Sequence, residues 1–264
     1  MRSSDLRGAV RSGSVAAICG ALLMSLPACA GPDGDGHRAK SEGAGGSVEG
    51  APAPGAGPGS EGARAPTPEV DPSRVPGIGN WLYGQIPDDS RQIVAVYGDG
   101  EDSPDSTIVL YTRRGSIWSE AGRWRGHNGR KGWTTDHHED DMRSPVGVFS
   151  LSDAGGVLED PGARLPYDQS RSYEVPTSWG AVHRRDFYYV IAVDYNRVRG
   201  APPSDPTRPE GKGKGGGIWM HLDHGDGTSA CVTLPEAGIK HLLRTLDPDR
   251  DPVVVMGDRR TLES

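Results

Sequence analysis

Between Ala30 and about Arg74 the chain carries almost no large apolar side chain, and this decides where a fold can form. The stretch reads Gly-Pro-Asp-Gly-Asp-Gly, Gly-Ala-Gly-Gly-Ser and Ala-Pro-Ala-Pro-Gly-Ala-Gly-Pro-Gly-Ser. Fixing such a backbone costs roughly 1–2 kcal/mol per residue, and nothing here can be buried to offset it. It reads as a tether, with an r.m.s. reach on the order of 35–40 Å. Of the 264 residues, with 39 Gly and 22 Pro unevenly spread, only those after about position 78 can build a core. That remainder is long enough to hide roughly 70% of its unfolded surface in one domain.

Ahead of the tether lies a short head in which Arg2, Arg7 and Arg11 supply positive charge, followed by the apolar run Val15–Leu26. The run is too short to span a bilayer as a mature helix, and it ends in small residues, so residues 1–28 read as a signal peptide. Leu26-Pro27-Ala28-Cys29 resembles a bacterial lipobox, which implies acylation of Cys29 as the first mature residue. The expected location is then the extracytoplasmic face of the membrane, through a lipid anchor, or the cell wall; plain secretion with cleavage after Ala28 or Ala30 is the alternative. The expected organisation is signal peptide 1–28, tether 29–78 and folded domain 79–264.

The folded part is punctuated as a β protein. Gln92–Gly98 and Thr107–Thr112 are rich in β-branched and aromatic residues between Gly/Asp/Pro clusters, and Gly115–Trp124 alternates, so three sequential strands suggest a meander. Pro145–Leu151 is a further short strand. Asp186–Asp194 is the strongest continuous apolar run and is expected to be central. Strands at 218–222, 231–234 and 252–257 follow. One helix is expected from Pro235 to Leu246, with Pro at its start, Ile239, Leu242, Leu243 and Leu246 on one face, and Pro248 beyond its end. The fold class is mainly β with few short helices.

Of three cysteines, Cys19 leaves with the signal peptide and Cys29 is acylated, which leaves Cys231 as the expected lone thiol, either an inert buried cysteine or a reactive one. It follows Thr228-Ser229-Ala230, where a tight Gly/Asp loop enters a strand. Small residues there leave backbone N–H groups available to hold an oxyanion. A thiol needs a base to attack at neutral pH, and His221 ends the preceding apolar run. A loop between neighbouring strands could return the chain so that both side chains meet at an open groove. The plainer reading is a His221 that only caps a strand edge.

Ile218-Trp219-Met220-His221, followed by Thr228-Ser229-Ala230-Cys231-Val232-Thr233-Leu234, resembles the catalytic segment of L,D-transpeptidases of the YkuD type. Arg143–Phe149 is similar to that family's Thr-Pro-x-Gly-x-Phe strand, and Tyr188–Asn196 to the strand ahead of its His loop. Ser229 and Ala230 stand where the common pattern has His-Gly, and Thr233 where Arg or Asn is usual. The resemblance implies the family's β-sandwich and a cysteine-dependent acyl transfer on peptidoglycan stem peptides. Cys231 would be the nucleophile, His221 the base, and backbone N–H groups near Ser229 and Ala230 the oxyanion donors. Trp219, Asp223, His224, Thr228 and Thr233 are the candidate substrate-lining residues; the plainer reading puts Trp219 in the core or rim and Asp223 and His224 in a solvated loop. Passing the thioester to an amine gives a cross-link; passing it to water gives carboxypeptidase activity.

Two other classes compete. His221, Asp223 and His224, with His137-His138-Glu139-Asp140-Asp141, could hold zinc, but two histidines three apart on a strand end do not share a direction as on a helix, so no metal and no cofactor are expected. A wall-binding lipoprotein without catalysis is the other class. A formal charge of −7 with no dense Lys/Arg stripe argues against nucleic acid. The expected partners are stem peptides and, through Cys29, a membrane, with the protein itself a monomer.

Overall fold

The computed structural model describes residues 71–264. The expected signal peptide, Cys29 and nearly all of the expected tether lie outside these residues. Two five-stranded sheets face one another. The first has the order β3-β2-β1-β12-β6, made of β1 (Gln92–Gly98), β2 (Asp105–Arg114), β3 (Ile117–His127), β6 (Gly147–Ser150) and β12 (Val253–Asp258). The short strands β4 (Trp133–Thr134) and β5 (Ser144–Pro145) pair beside it. The second sheet has the order β11-β10-β9-β7-β8, from β7 (Ala154–Gly156), β8 (Tyr167–Gln169), β9 (Val190–Ala192), β10 (Trp219–Leu222) and β11 (Val232–Leu234).

The expected meander is present: β1, β2 and β3 are antiparallel neighbours. Every residue of β1 is buried, because it lies between two apolar layers. Val94 and Val96 point into the main core, shared with Ile191, Met220 and Val232 of the second sheet, while Ile93, Ala95 and Tyr97 point into a second cluster on the outer side. That outer cluster is completed by Val75, Ile78 and Leu82, and by Leu262 of the closing helix α3 (Arg259–Leu262). Residues 72–78, expected as tether, therefore belong to the domain. The Trp118 N–H donates to the Pro72 carbonyl at 2.9 Å, Tyr97 Oη donates to the Pro76 carbonyl at 2.6 Å, and Gly79 N–H donates to the Leu262 carbonyl at 2.7 Å. The lone apolar residues Val75 and Ile78 cap a sheet face that would otherwise be wet. A single helical turn, α1 (Asn80–Tyr83), follows them.

Helix α2 (Glu236–Thr245) occurs as its sequence dictates. Pro235 enters it, Glu236 sits in the positive first turn and pairs with Lys240 at 2.7 Å, and Ile239, Leu242 and Leu243 are buried in the main core. Burying each of those side chains contributes roughly 1.5–3 kcal/mol.

β9 is central to the second sheet, as expected of the apolar run around it, but only Val190–Ala192 is strand. Residues 186–189 of that run are turn rather than strand, a 3-10 turn at 182–185 precedes them, and the segment between β8 and β9 folds back over the outer face of this sheet. There Tyr173 and Phe187 pack on Val190, Ala192, Trp219 and Cys231.

Candidate functional site

β10 and β11 are neighbours, as expected, and they run parallel, with Met220 opposite Val232, His221 opposite Thr233 and Leu222 opposite Leu234. The loop 223–231 reverses the chain by reaching across to the first sheet. Thr228 bridges to Gly129, its N–H donates to the Asn128 carbonyl at 2.9 Å, and its carbonyl accepts from Arg130 N–H at 2.7 Å. The consequence is parity. Trp219 and His221 lie on the face of β10 opposite Met220 and Leu222, and the register carries Cys231 and Thr233 to that same face. His221 and Cys231 are diagonal neighbours, two positions out of register, with Cα atoms about 8 Å apart by strand geometry. The His221 ring is held toward the Leu222 carbonyl, and its other nitrogen makes no hydrogen bond to the sulfur.

His221 is fully buried. Its Nδ1 lies 2.9 Å from the Leu222 carbonyl, which makes Nδ1 the protonated nitrogen. Nε2 is buried without a hydrogen-bond partner among the described residues. Burial, the largest influence, pushes the imidazole down to about 4 despite the nearby Asp186 carboxylate. At neutral pH the ring is thus uncharged, with its Nε2 lone pair open.

Cys231 is also fully buried, and Trp219 N–H points at its Sγ at 3.3 Å. The expectation of a lone thiol is overturned, because Cys231 is disulfide-bonded. The chain's other cysteines, Cys19 and Cys29, both lie outside the described residues. Among the described residues the expected open groove does not reach this position, since the His221 and Cys231 side chains are both fully buried. Phe187 stands edge-on to both Trp219 and His221, at 5.1 Å and 5.0 Å between centroids, and Tyr173 closes over Trp219 at 5.6 Å. Sequence reasoning missed this cover because its 3-10 turns carry no hydrophobic period.

The turn before Cys231 is rigid. Ser144 Oγ donates to the Ala230 carbonyl at 2.6 Å, Thr228 Oγ1 donates to the Cys231 carbonyl at 2.7 Å, and Thr228, Ser229 and Ala230 are all buried. Thr233 is a network residue rather than a cleft residue. Its Oγ1 donates to Asp223 Oδ1 at 2.6 Å and accepts from His127 N–H at 3.1 Å, and Asp223 also binds His127 Nδ1 at 2.7 Å. Burial alone would raise the Asp223 carboxyl, but the His127 and Thr233 hydrogen bonds outweigh it and hold the group down at about 2. The Asp223 hydrogen bond in turn raises His127.

His224 turns away from that network toward the cover. It lies 3.2 Å from Asp186 and edge-on to His183 at 4.6 Å, facing a cleft of about 330 Å³ lined by Val182, Arg185, Asp186, Asp223 and Glu236. His137 does not join it: it is buried, bonded to Asp141 at 3.1 Å and edge-on to Tyr195. His183 and Asp186 are the residues that sequence reasoning passed over. Their spacing, three apart next to the apolar run, was the available signal.

No protein-family model matches the chain. No curated protein matches it either. Solved structures similar at a distance include the two that follow. The helical cell-shape-determining protein Pgp2 from Campylobacter jejuni aligns at 16% identity and a TM-score of 0.41, over 67% of this chain and 51% of its own. Bd1075 from Bdellovibrio bacteriovorus aligns at 17% identity and a TM-score of 0.37, over 64% of this chain and 48% of its own. The chain thus spans about half the length of the solved structures it matches.

Proposed function

We propose that this is an exported cell-wall enzyme whose reduced Cys231 performs acyl transfer on peptidoglycan stem peptides, with His221 as base. The observation that carries the reading is the state of His221: neutral, with Nδ1–H donated to the Leu222 carbonyl and Nε2 open, on the same face of the same sheet as Cys231. A general base needs that tautomer and that vacant lone pair. The disulfide on Cys231 is opened by a dithiol, which is oxidised to its own disulfide as the protein takes up two electrons. His221 Nε2 then accepts the thiol proton, and the thiolate attacks the carbonyl of an L,D amide bond in the stem. The C–N bond breaks, and the departing D-amino acid leaves with the proton from His221. N–H groups of the turn at Ser229 and Ala230, held by Ser144 and Thr228, would stabilise the oxyanion. An amine acceptor resolves the thioester to a cross-link, and water resolves it to a shortened stem. The cover over His221 must open for a peptide to enter.

The test is incubation of the full chain, with and without dithiothreitol, with a disaccharide tetrapeptide, products being read by mass. Dimer formation identifies a transpeptidase and release of D-alanine alone a carboxypeptidase, each only in reductant and each lost in Cys231→Ala. Turnover that survives in Cys231→Ala, or none in reduced wild type, refutes the assignment and leaves the wall-binding module as the reading.

A further inference from the structure

A second group of side chains lies at the rim of the cover, and the catalytic reading makes no use of it. His183 lies in the 3-10 turn 182–185 and Asp186 caps its end, three positions on, where a 3-10 conformation eclipses positions i and i+3 and so stacks the two side chains on one side. Leu222 N–H donates to the Asp186 carbonyl at 3.1 Å, which ties this turn to the end of β10 and delivers His224 to the same spot. His183 Nδ1 is 2.9 Å from Asp186 Oδ2, and His224 Nδ1 is 3.2 Å from that same oxygen. One donor atom from each of the three residues lies within 4.8 Å of the others.

The third contact is unlike an ordinary ion pair. His224 Nδ1 is buried and close to the carboxylate, yet the angle fails hydrogen-bond geometry, so the nitrogen is left without a hydrogen-bond partner. His183 Nδ1 does hydrogen-bond the same oxygen, so it is the His224 nitrogen alone that is turned off the carboxylate and left for another partner. Donors about 2.0–2.2 Å from a tetrahedral ion stand roughly 3.3–3.5 Å apart, a few tenths of an ångström wider than the two separations here. The Asp186 side chain is only 2% exposed, and the guanidinium of its chain neighbour Arg185 pairs with Glu236 instead. A buried carboxylate between two imidazoles calls for a cation.

We propose that His183, Asp186 and His224 form a Zn²⁺ site, two imidazoles and one carboxylate, with its remaining position open to the cleft beside Asp223 and Glu236. Borderline-soft zinc suits this donor set, whereas Mg²⁺ and Ca²⁺ require oxygen ligands. The ion joins the cover to the end of β10, so zinc stabilises the closed arrangement by mass action. This site is independent of the Cys231 assignment and stands if that assignment fails.

The experiment strips the full chain with a chelator, adds Zn²⁺ alone, and reads stoichiometry by elemental analysis, affinity by calorimetry and Tm by scanning calorimetry. One zinc per chain and a raised Tm are expected. His183→Ala and His224→Ala should each weaken binding at least a hundredfold and abolish the Tm shift, while His137→Ala/His138→Ala and Cys231→Ala bind as wild type does. Co²⁺ in the stripped protein should show the visible bands of a tetrahedral site, absent in His183→Ala; His183 lies at the rim, so this variant keeps the test valid if His224→Ala does not fold. Sub-stoichiometric or millimolar zinc, binding unchanged in His183→Ala, or binding lost in His137→Ala/His138→Ala would overturn the site.

Discussion

The ring of Phe187 stands at 78° to the His221 imidazole with centroids 5.0 Å apart, and it is this contact that seals the buried face carrying Cys231. Phe187 also meets Trp219 at 86°, so one side chain covers both the base and the residue whose N–H points at the sulfur. Removing the ring should expose the sulfur. In reduced protein, Phe187→Leu is expected to speed labelling of Cys231 by a neutral thiol reagent about tenfold or more, since the site opens without waiting for the cover to move. The cost is about 1–2 kcal/mol, because most of the apolar volume is kept. Labelling unchanged in this variant would show that Phe187 does not gate the sulfur.

His221 makes folding sensitive to mild acid. Its folded value of about 4 lies below the ordinary 6.5, so the unfolded chain takes up a proton first as pH falls. Its contribution to stability is therefore full above pH 6.5 and declines between 6.5 and about 4, by an amount on the order of 3 kcal/mol. His137, also held down by burial, acts in the same direction; His127, raised by its Asp223 hydrogen bond, acts oppositely. The His221 share is the difference between wild type and His221→Asn. Urea unfolding at pH 7.5 and 4.5 should show a clearly smaller loss in the variant, and equal losses would mean that the ring is not buried neutral.

The Asp223, His127 and Thr233 network gives a second, separable pH signature. The Asp223 carboxyl is held below its ordinary value, so its contribution is present above pH 3.8 and lost as pH falls toward 2. His127 is held above its ordinary value, so its contribution is complete below 6.5 and lost as pH rises through its raised value. The pair is thus strongest between about pH 3.8 and 6.5. Asp223→Asn should cost about 1–3 kcal/mol at pH 5 and clearly less at pH 9. A cost independent of pH would reduce Asp223 to a neutral hydrogen-bond partner.

Much of this fold could be read from the letters, because amphipathic period and turn residues encode it directly. The meander, the Pro-led helix and a central strand at Val190 are all of this kind. The letters do not encode strand direction. An apolar run such as Val232-Thr-Leu234 reads the same parallel or antiparallel, and only contacts of Thr228 with Asn128 and Arg130 force the parallel return. His221 and Cys231 were legible as a pair of residue types, and their shared face follows from a register fixed far away in sequence. The cover, the packed residues 72–78 and the meeting of His183 and Asp186 with His224 all depend on tertiary contacts with no periodic signature.

The closest backbone approach near the site supplies the last test. A Cβ added at Gly126 of β3 would sit 1.8 Å from the Thr233 carbonyl oxygen and 2.8 Å from its carbon, and neither atom is the end of a flexible side chain. The next residue, His127, donates its N–H to Thr233 Oγ1 at 3.1 Å, so the strands are locked together where the crash would occur. Relief requires moving β11, and with it Thr233, Asp223 and the turn that holds Cys231. Gly126→Ala is expected to cost on the order of 4 kcal/mol or more, lowering Tm by about 10 °C in a domain of this size. Gly213→Ala is the matched control: nothing lies within 4 Å of its added Cβ, and its Tm should stay within a degree or two of wild type. Comparable Tm values for the two variants would mean that β3 and β11 do not approach as described.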